Sequence, residues 1–189
     1  MTIDPGELHR RAIDEFGRRV EAIADTQWGQ PTPCADWDVR ALVHHLVYEN
    51  VWTPAMFEGK TIAEVGDQFE GELLGTDPKG AWQSSAKQAL DAVGRPGAMA
   101  GTVHLSFGDF PGDQYAMQLT TDLAVHAWDL ARGIGADDRL DPELVEACYE
   151  AALPMEPMLR QSGLFGDKVE VGPGADTQAR LLGLMGRQP

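Results

Sequence analysis

Asp122 and His126 stand four residues apart in the stretch 121–132, along which, counting from Leu119 just before it, Leu119, Leu123, Ala127 and Leu130 recur at helical period. His126 falls in the middle of that apolar face and Asp122 at its edge, one turn earlier. Side chains at this spacing point the same way, with Cβ atoms roughly 6 Å apart, so both can reach one divalent cation. A histidine from a facing helix would complete three ligands with an open position, the pattern of catalytic zinc. Nickel or iron(II) accept the same nitrogen and oxygen donors. Water or a thiol in the open position would lose its proton more readily. His44 and His45 both offer the third ligand: they flank the stripe Val39, Leu42, Val43, Leu46 and Val47, and periodicity does not choose between them. The same Asp/His spacing also describes a buried polar pair in a metal-free bundle, because a histidine on an apolar face needs partners whatever its role.

Other reactive residues give weaker signals. Cys34 precedes a helix whose positive end would favour a thiolate, so it is a second candidate, as nucleophile or fourth ligand. Cys148 sits among alanines and reads as core, His104 as an exposed histidine on an extended segment, and His9 as solvent-facing beside arginines. Arg40, Asp129 and Arg132 read as ordinary helix-surface or inter-helix ion pairs. No nucleotide-binding, hydrolase-elbow or HExxH motif occurs.

The elements that must hold these residues are marked by their ends. Asp4-Pro5, Asp77-Pro78 and Asp141-Pro142 each place a capping carboxylate before a proline at the first helical position. The first helix runs on Leu8, Ala12, Phe16, Val20 and Ile23 to about residue 24. The second begins at Asp38 and is bent or ended by Pro54. An irregular acidic connection, residues 58–76, carries one helical turn at 62–65; the third long helix follows and stops at Gly94. Residues 102–108 alternate at period two and read as a small hairpin or β-like loop. The fourth long helix covers roughly 113–133, ending at Gly133, and a fifth, from Asp141-Pro142, is terminated by Pro154 and Pro157. A Gly/Pro-rich loop and an amphipathic turn at 178–185 close the chain. The expected fold is mainly α: one domain over residues 1–189, with antiparallel long helices, minor β content and a short C-terminal helical appendage.

Composition narrows the partners. With 15 basic against 30 acidic residues the chain carries a formal charge of −15, which repels phosphate backbones and anionic lipid. Nucleic acid and membrane are therefore not expected partners, and a small-molecule substrate or thiol is. Two cysteines without a CxxC, an N-terminus without an apolar core and no membrane-length apolar run fit the cytoplasm.

Two blocks resemble the DinB/YfiT-like superfamily, and within it the actinobacterial branch related to the N-terminal domain of mycothiol-dependent maleylpyruvate isomerase. One is residues 31–46, where the pattern Trp37-x-Val39-Arg40-x-Leu42-x-x-His45 puts the family's ligand histidine on His45. The other is residues 121–132, with an acidic residue, then His126, Trp128, Asp129, Leu130, Ala131 and Arg132. The resemblance extends to Phe107-Gly108 and to residues 181–187. It implies a DinB-like four-helix bundle holding a divalent metal, zinc first and nickel or iron next, on His45, Asp122 and His126. It implies an enzyme activating mycothiol, a similar low-molecular-weight thiol, or water for isomerisation or S-transfer; a homodimer is compatible with it. The alternative is a non-catalytic metal- or ligand-binding module serving a stress response. Asp122 replaces the isomerase's glutamate, so the ion would sit closer to the fourth long helix or be reached through water. Residues 160–189 are too short for the isomerase's C-terminal domain, so maleylpyruvate isomerisation itself is not expected.

Overall fold

The computed structural model describes residues 3–158 and 166–189. Four long helices form the bundle: α1 (Pro5–Ala22), α2 (Val39–Phe57), α4 (Pro78–Val93) and α5 (Gly112–Ile134). Helix α1 packs chiefly on α5 and α2 on α4, while α1–α4 and α2–α5 contacts close the ring. The one-turn α3 (Ile62–Val65) lies in the acidic connection, where Thr61 and Glu64 form a capping box. Strands β1 (Thr102–Leu105) and β2 (Gly108–Pro111) form an antiparallel hairpin leading into α5. Helices α6 (Pro142–Ala152) and α7 (Thr177–Leu184) pack together beyond the bundle. The architecture is mainly α, as the helical periods predict. Among the described residues no helix is long and apolar enough to cross a membrane.

The predicted caps are present. Asp4, Asp77 and Asp141 each accept hydrogen bonds from first-turn amides, and Asp38 does the same for Ala41. Apolar side chains divide into two clusters. The larger one fills the bundle from Leu8, Phe16 and Leu46 to Leu130, Leu144 and Leu181. The smaller gathers Trp52, Met56, Val65, Val103, Tyr115 and Leu119 at the hairpin end.

Three expectations need correction. Of the two effects expected of Pro54, a bend or an end, the end does not occur: α2 continues to Phe57, with only the Asn50 carbonyl losing its helical amide to the proline. Gly133 does not stop α5. The left-handed residue at the helix end is Gly135 (φ 68°), and Gly133 instead lets the loop before α2 approach: a Cβ there would stand 3.1 Å from Thr32 Cγ2 and 3.3 Å from the Pro31 carbonyl oxygen. His9 does not face solvent. It shares the face of Ala12, Ile13 and Phe16, packed under the neighbouring helices, and is fully buried. Of the Gly/Pro-rich stretch expected after Pro157, residues 159–165 lie outside the described residues.

Candidate metal centre

Helices α2 and α5 bring His45, Asp122 and His126 together. His45 Nε2 lies 3.2 Å from Asp122 Oδ2, and His126 Nε2 lies 3.4 Å from Asp122 Oδ1. One donor atom from each of the three falls within 4.8 Å of the others. Trp37, at the start of α2, covers both imidazoles, with ring centroids 4.7 Å from His45 and 5.5 Å from His126. A cleft of about 490 Å³, lined among others by Trp37, Arg40, His44, Tyr48 and Glu72, reaches the centre at His45.

Behind His126 lies a second set of groups. Its Nδ1 is 2.9 Å from Asp129 Oδ2, and Asp129 is fully buried. The same oxygen accepts from Arg187 Nη2 at 2.7 Å and from the Cys34 thiol at 3.2 Å; Arg187 Nη2 also lies 3.1 Å from Cys34 Sγ. Burial works against the ionised form of Asp129, but His126 and Arg187 outweigh it and hold its carboxyl below the usual range. An ionised carboxylate only accepts hydrogen bonds, so the His126 Nδ1 carries a proton. Its Nε2 then either carries a second proton toward Asp122 or turns a lone pair to a cation shared with Asp122 and His45.

The first alternative is the ion-free state. Burial disfavours the charged imidazole, yet Asp122, then Asp129 and Cys34, raise its proton affinity well above the ordinary histidine value. Burial likewise opposes the charged Asp122, and His126 and His45 overcome it, holding that carboxyl far below the usual range. The second alternative fits a divalent cation. Two ligands about 2.1 Å from a tetrahedral zinc stand roughly 3.4 Å apart, the size of the two separations to Asp122. The Nδ1–H to carboxylate bond is the outer contact that fixes a ligand histidine's tautomer.

Local sequence explains the placement. Thr32 donates to the Trp37 carbonyl and accepts from the Cys34 amide, and the Trp37 amide returns to the Cys34 carbonyl; this tight loop presents Cys34 and Trp37 side by side. At the other end of the chain, α7 closes with a Schellman pair. The Gly186 amide bonds the Gly183 carbonyl and the Arg187 amide bonds the Leu182 carbonyl, with Gly186 left-handed at φ 77°. That turn directs Arg187 back toward Asp129.

His44 is not drawn to the centre: its Nε2 lies 2.9 Å from the Gly71 carbonyl oxygen and 3.3 Å from the Leu73 amide. Cys34 meets the outer layer, 3.8 Å from His126 Nδ1, rather than the trio. His104 pairs with Asp109 on the hairpin, half-buried rather than exposed, and Cys148 is core. Arg40 and Arg132 make the surface pairs expected, with Glu72 and Asp138. Asp129 does not: as an i+3 partner of His126 it belongs to the buried layer. Two residues escaped the sequence reading. Arg187 had a signal in the glycine before it, a C′ position that turns the chain; Glu49 had one in its i+4 spacing from His45. Burial pushes the Glu49 carboxyl up to about 7, with Asp122 adding to the rise and His45 and His126 opposing it.

The profile of the mycothiol maleylpyruvate isomerase N-terminal domain matches residues 9–131. Two uncharacterized proteins of Mycobacterium tuberculosis, from strains CDC 1551 / Oshkosh and ATCC 25618 / H37Rv, are each 33% identical over 190 residues, spanning 96% of this chain and 98% of the relative. The crystal structure of mycothiol-dependent maleylpyruvate isomerase superposes with a TM-score of 0.64 at 15% identity. A histidine-to-alanine mutant of that enzyme gives 0.63 at 13%, and each covers 86% of this chain and 72% of the other. At such identities the likeness to the solved structures concerns the fold. Residue for residue it is the family profile that carries the relationship, and this chain belongs to the mycothiol maleylpyruvate isomerase N-terminal domain family.

Proposed function

We propose that the protein is a divalent-metal enzyme that activates a low-molecular-weight thiol for isomerisation or S-transfer on a small electrophile. The observation carrying this is the convergence of His45, Asp122 and His126 at the end of an open cleft. Zinc is the ion best suited to two imidazoles and one carboxylate, with nickel and iron(II) next. Bound there, the ion would act as a Lewis acid that lowers the pKa of a thiol or water in its open position. The chain's own residues do the rest. Asp129 keeps the His126 Nδ1 protonated and its ring oriented, Arg187 offsets the Asp129 charge, and Trp37 shields both imidazoles from water on one side. The cleft is of the size that holds a small ligand. Mycothiol, named in the family's description, is the thiol proposed.

A metal-free alternative has one observation in its favour: an imidazolium between Asp122 and Asp129 is satisfied without any ion. Calorimetry on tag-free protein separates the two. Thiol binding that requires zinc loading, and that His126→Ala abolishes, is the expected result. Zinc content unchanged in His126→Ala, or thiol binding indifferent to zinc, would overturn the proposal.

A further inference from the structure

The cleft that reaches His45 carries more negative than positive charge. Among the described residues Arg40 is the one basic side chain besides histidine that lines it, against the carboxylates of Asp38 and Glu72. Arg40 is itself engaged: its Nη2 donates to Glu72 Oε2 at 3.2 Å and to the Gly75 carbonyl oxygen at 3.0 Å. The other Glu72 oxygen accepts from the Leu74 amide at 2.7 Å. That amide, and then Arg40, hold the Glu72 carboxyl below the usual range, so it stays ionised at neutral pH. Asp38 accepts from the Ala41 amide as the cap of α2. The other polar side chains of the lining also have partners on the protein, His44 at Gly71 and Leu73 and the Tyr48 hydroxyl at Glu70. What is left to meet a ligand is the indole of Trp37, the methyl of Ala41 and the ring of Tyr48.

The centre adds no positive charge in excess. A divalent ion on two neutral imidazoles and one carboxylate keeps one net positive charge, and a thiol that gives up its proton there cancels it. Behind His126, Arg187 and Asp129 balance each other. Nothing along the path then offsets an anion, and the whole chain carries −15.

Building on the thiol-activating function proposed above, we infer that this cleft takes an uncharged electrophile rather than a carboxylate, and that Glu72 is the residue that makes the choice. Glu72 acts twice: it occupies the cation that would hold a substrate carboxylate, and its own charge repels one. With a conjugated diester as acceptor, the S–C bond forms as the C=C π pair moves toward the carbonyl oxygen. A proton from solvent, matching the one the thiol released, then closes the addition at carbon. The only negative charge in that sequence is the one the thiol brought. A dicarboxylate would bring two more into a cleft already short of cations.

Binding and turnover test this separately. Dimethyl succinate and succinate, which cannot react, are compared by ligand-observed NMR at about pH 7.5, where both succinate carboxylates are ionised. The wild-type protein is expected to bind the diester about tenfold more tightly than the dianion. Glu72 is exposed, so Glu72→Gln leaves the core untouched, keeps an acceptor for the Leu74 amide and frees Arg40. It is expected to tighten succinate about tenfold and to leave the diester within about twofold, and adding Arg40→Met removes the gain. Turnover uses zinc-loaded protein with 2-mercaptoethanol and either dimethyl maleate or maleate, each rate divided by the rate without protein. The wild type is expected to accelerate the diester about tenfold more than the dianion, and Glu72→Gln to narrow that gap. Wild-type protein that binds succinate as well as the diester, or binds neither, overturns the inference. So does a preference that Glu72→Gln leaves unchanged. Selective binding of the diester without acceleration of either maleate compound overturns thiol activation, and leaves the cleft's choice of uncharged ligands standing.

Discussion

Asp129 Oδ2 lies 2.9 Å from His126 Nδ1, so one residue three positions further along α5 fixes which ring nitrogen His126 offers to its other side. Asp129→Ala removes that acceptor and frees the ring to rotate or change tautomer. Zinc affinity is expected to fall about 10–100-fold, the usual cost of losing such an outer contact. Competition with a chromophoric chelator measures it; an affinity within about twofold of wild type would show that the bond does not orient a ligand.

Arg187 is the counter-charge to Asp129, at 2.7 Å, in a place where Asp129 has no access to water. Arg187→Ala leaves a buried carboxylate with one partner fewer, and stability is expected to drop by about 3 kcal/mol. Arg187→Ala combined with Asp129→Asn should cost clearly less than the sum of the two single changes. Urea unfolding of the three variants decides this, and strict additivity would contradict the pairing.

His9 sets an acid limit that is independent of the metal centre. Its ring is fully buried, neither nitrogen has a hydrogen-bond partner among the described residues, and burial pulls its pKa down to about 4. The unfolded chain takes up this proton near pH 6.5 and the folded one only near 4, so the unfolded state binds more protons in between. The stability contribution is full above about pH 6.5, declines as pH falls to about 4 and is flat below, a span of about 3 kcal/mol. His9→Phe is expected to flatten the stability profile in that window, and to leave stability at neutral pH equal or higher because two unpaired polar atoms disappear. A stability profile with an unchanged slope between pH 4 and 6.5 would contradict it.

Much of the bundle could be read from local signals. Asp-Pro pairs, the apolar period of α1, α2 and α5 and the alternation before α5 are short-range features that need no tertiary information. The pairing of Asp122 with His126 is visible for the same reason, being one helical turn. What escaped depends on packing between distant segments. His9 looked exposed because Arg10 and Arg11 follow it, although its own angle on the helix matches Ala12, Ile13 and Phe16. Gly133 looked like a helix stop because its second role, admitting the loop of Thr32 and Cys34, is a contact across 101 residues. Asp129 looked like a surface charge because its neutralising partner, Arg187, lies 58 residues away. Periodicity also could not separate His44 from His45, since the choice rests on which flank α5 covers and which meets the 71–73 loop.

The most direct measurement is the zinc content of protein purified without a histidine tag, reloaded and dialysed, for wild type and for His45→Ala, Asp122→Ala and His126→Ala. About one zinc per chain is expected in the wild type, with less than about a tenth of that in each variant and a melting temperature that falls on chelation only in the wild type. Wild-type protein that stays zinc-free after loading, or variants that retain full occupancy, would contradict a metal centre on these three residues.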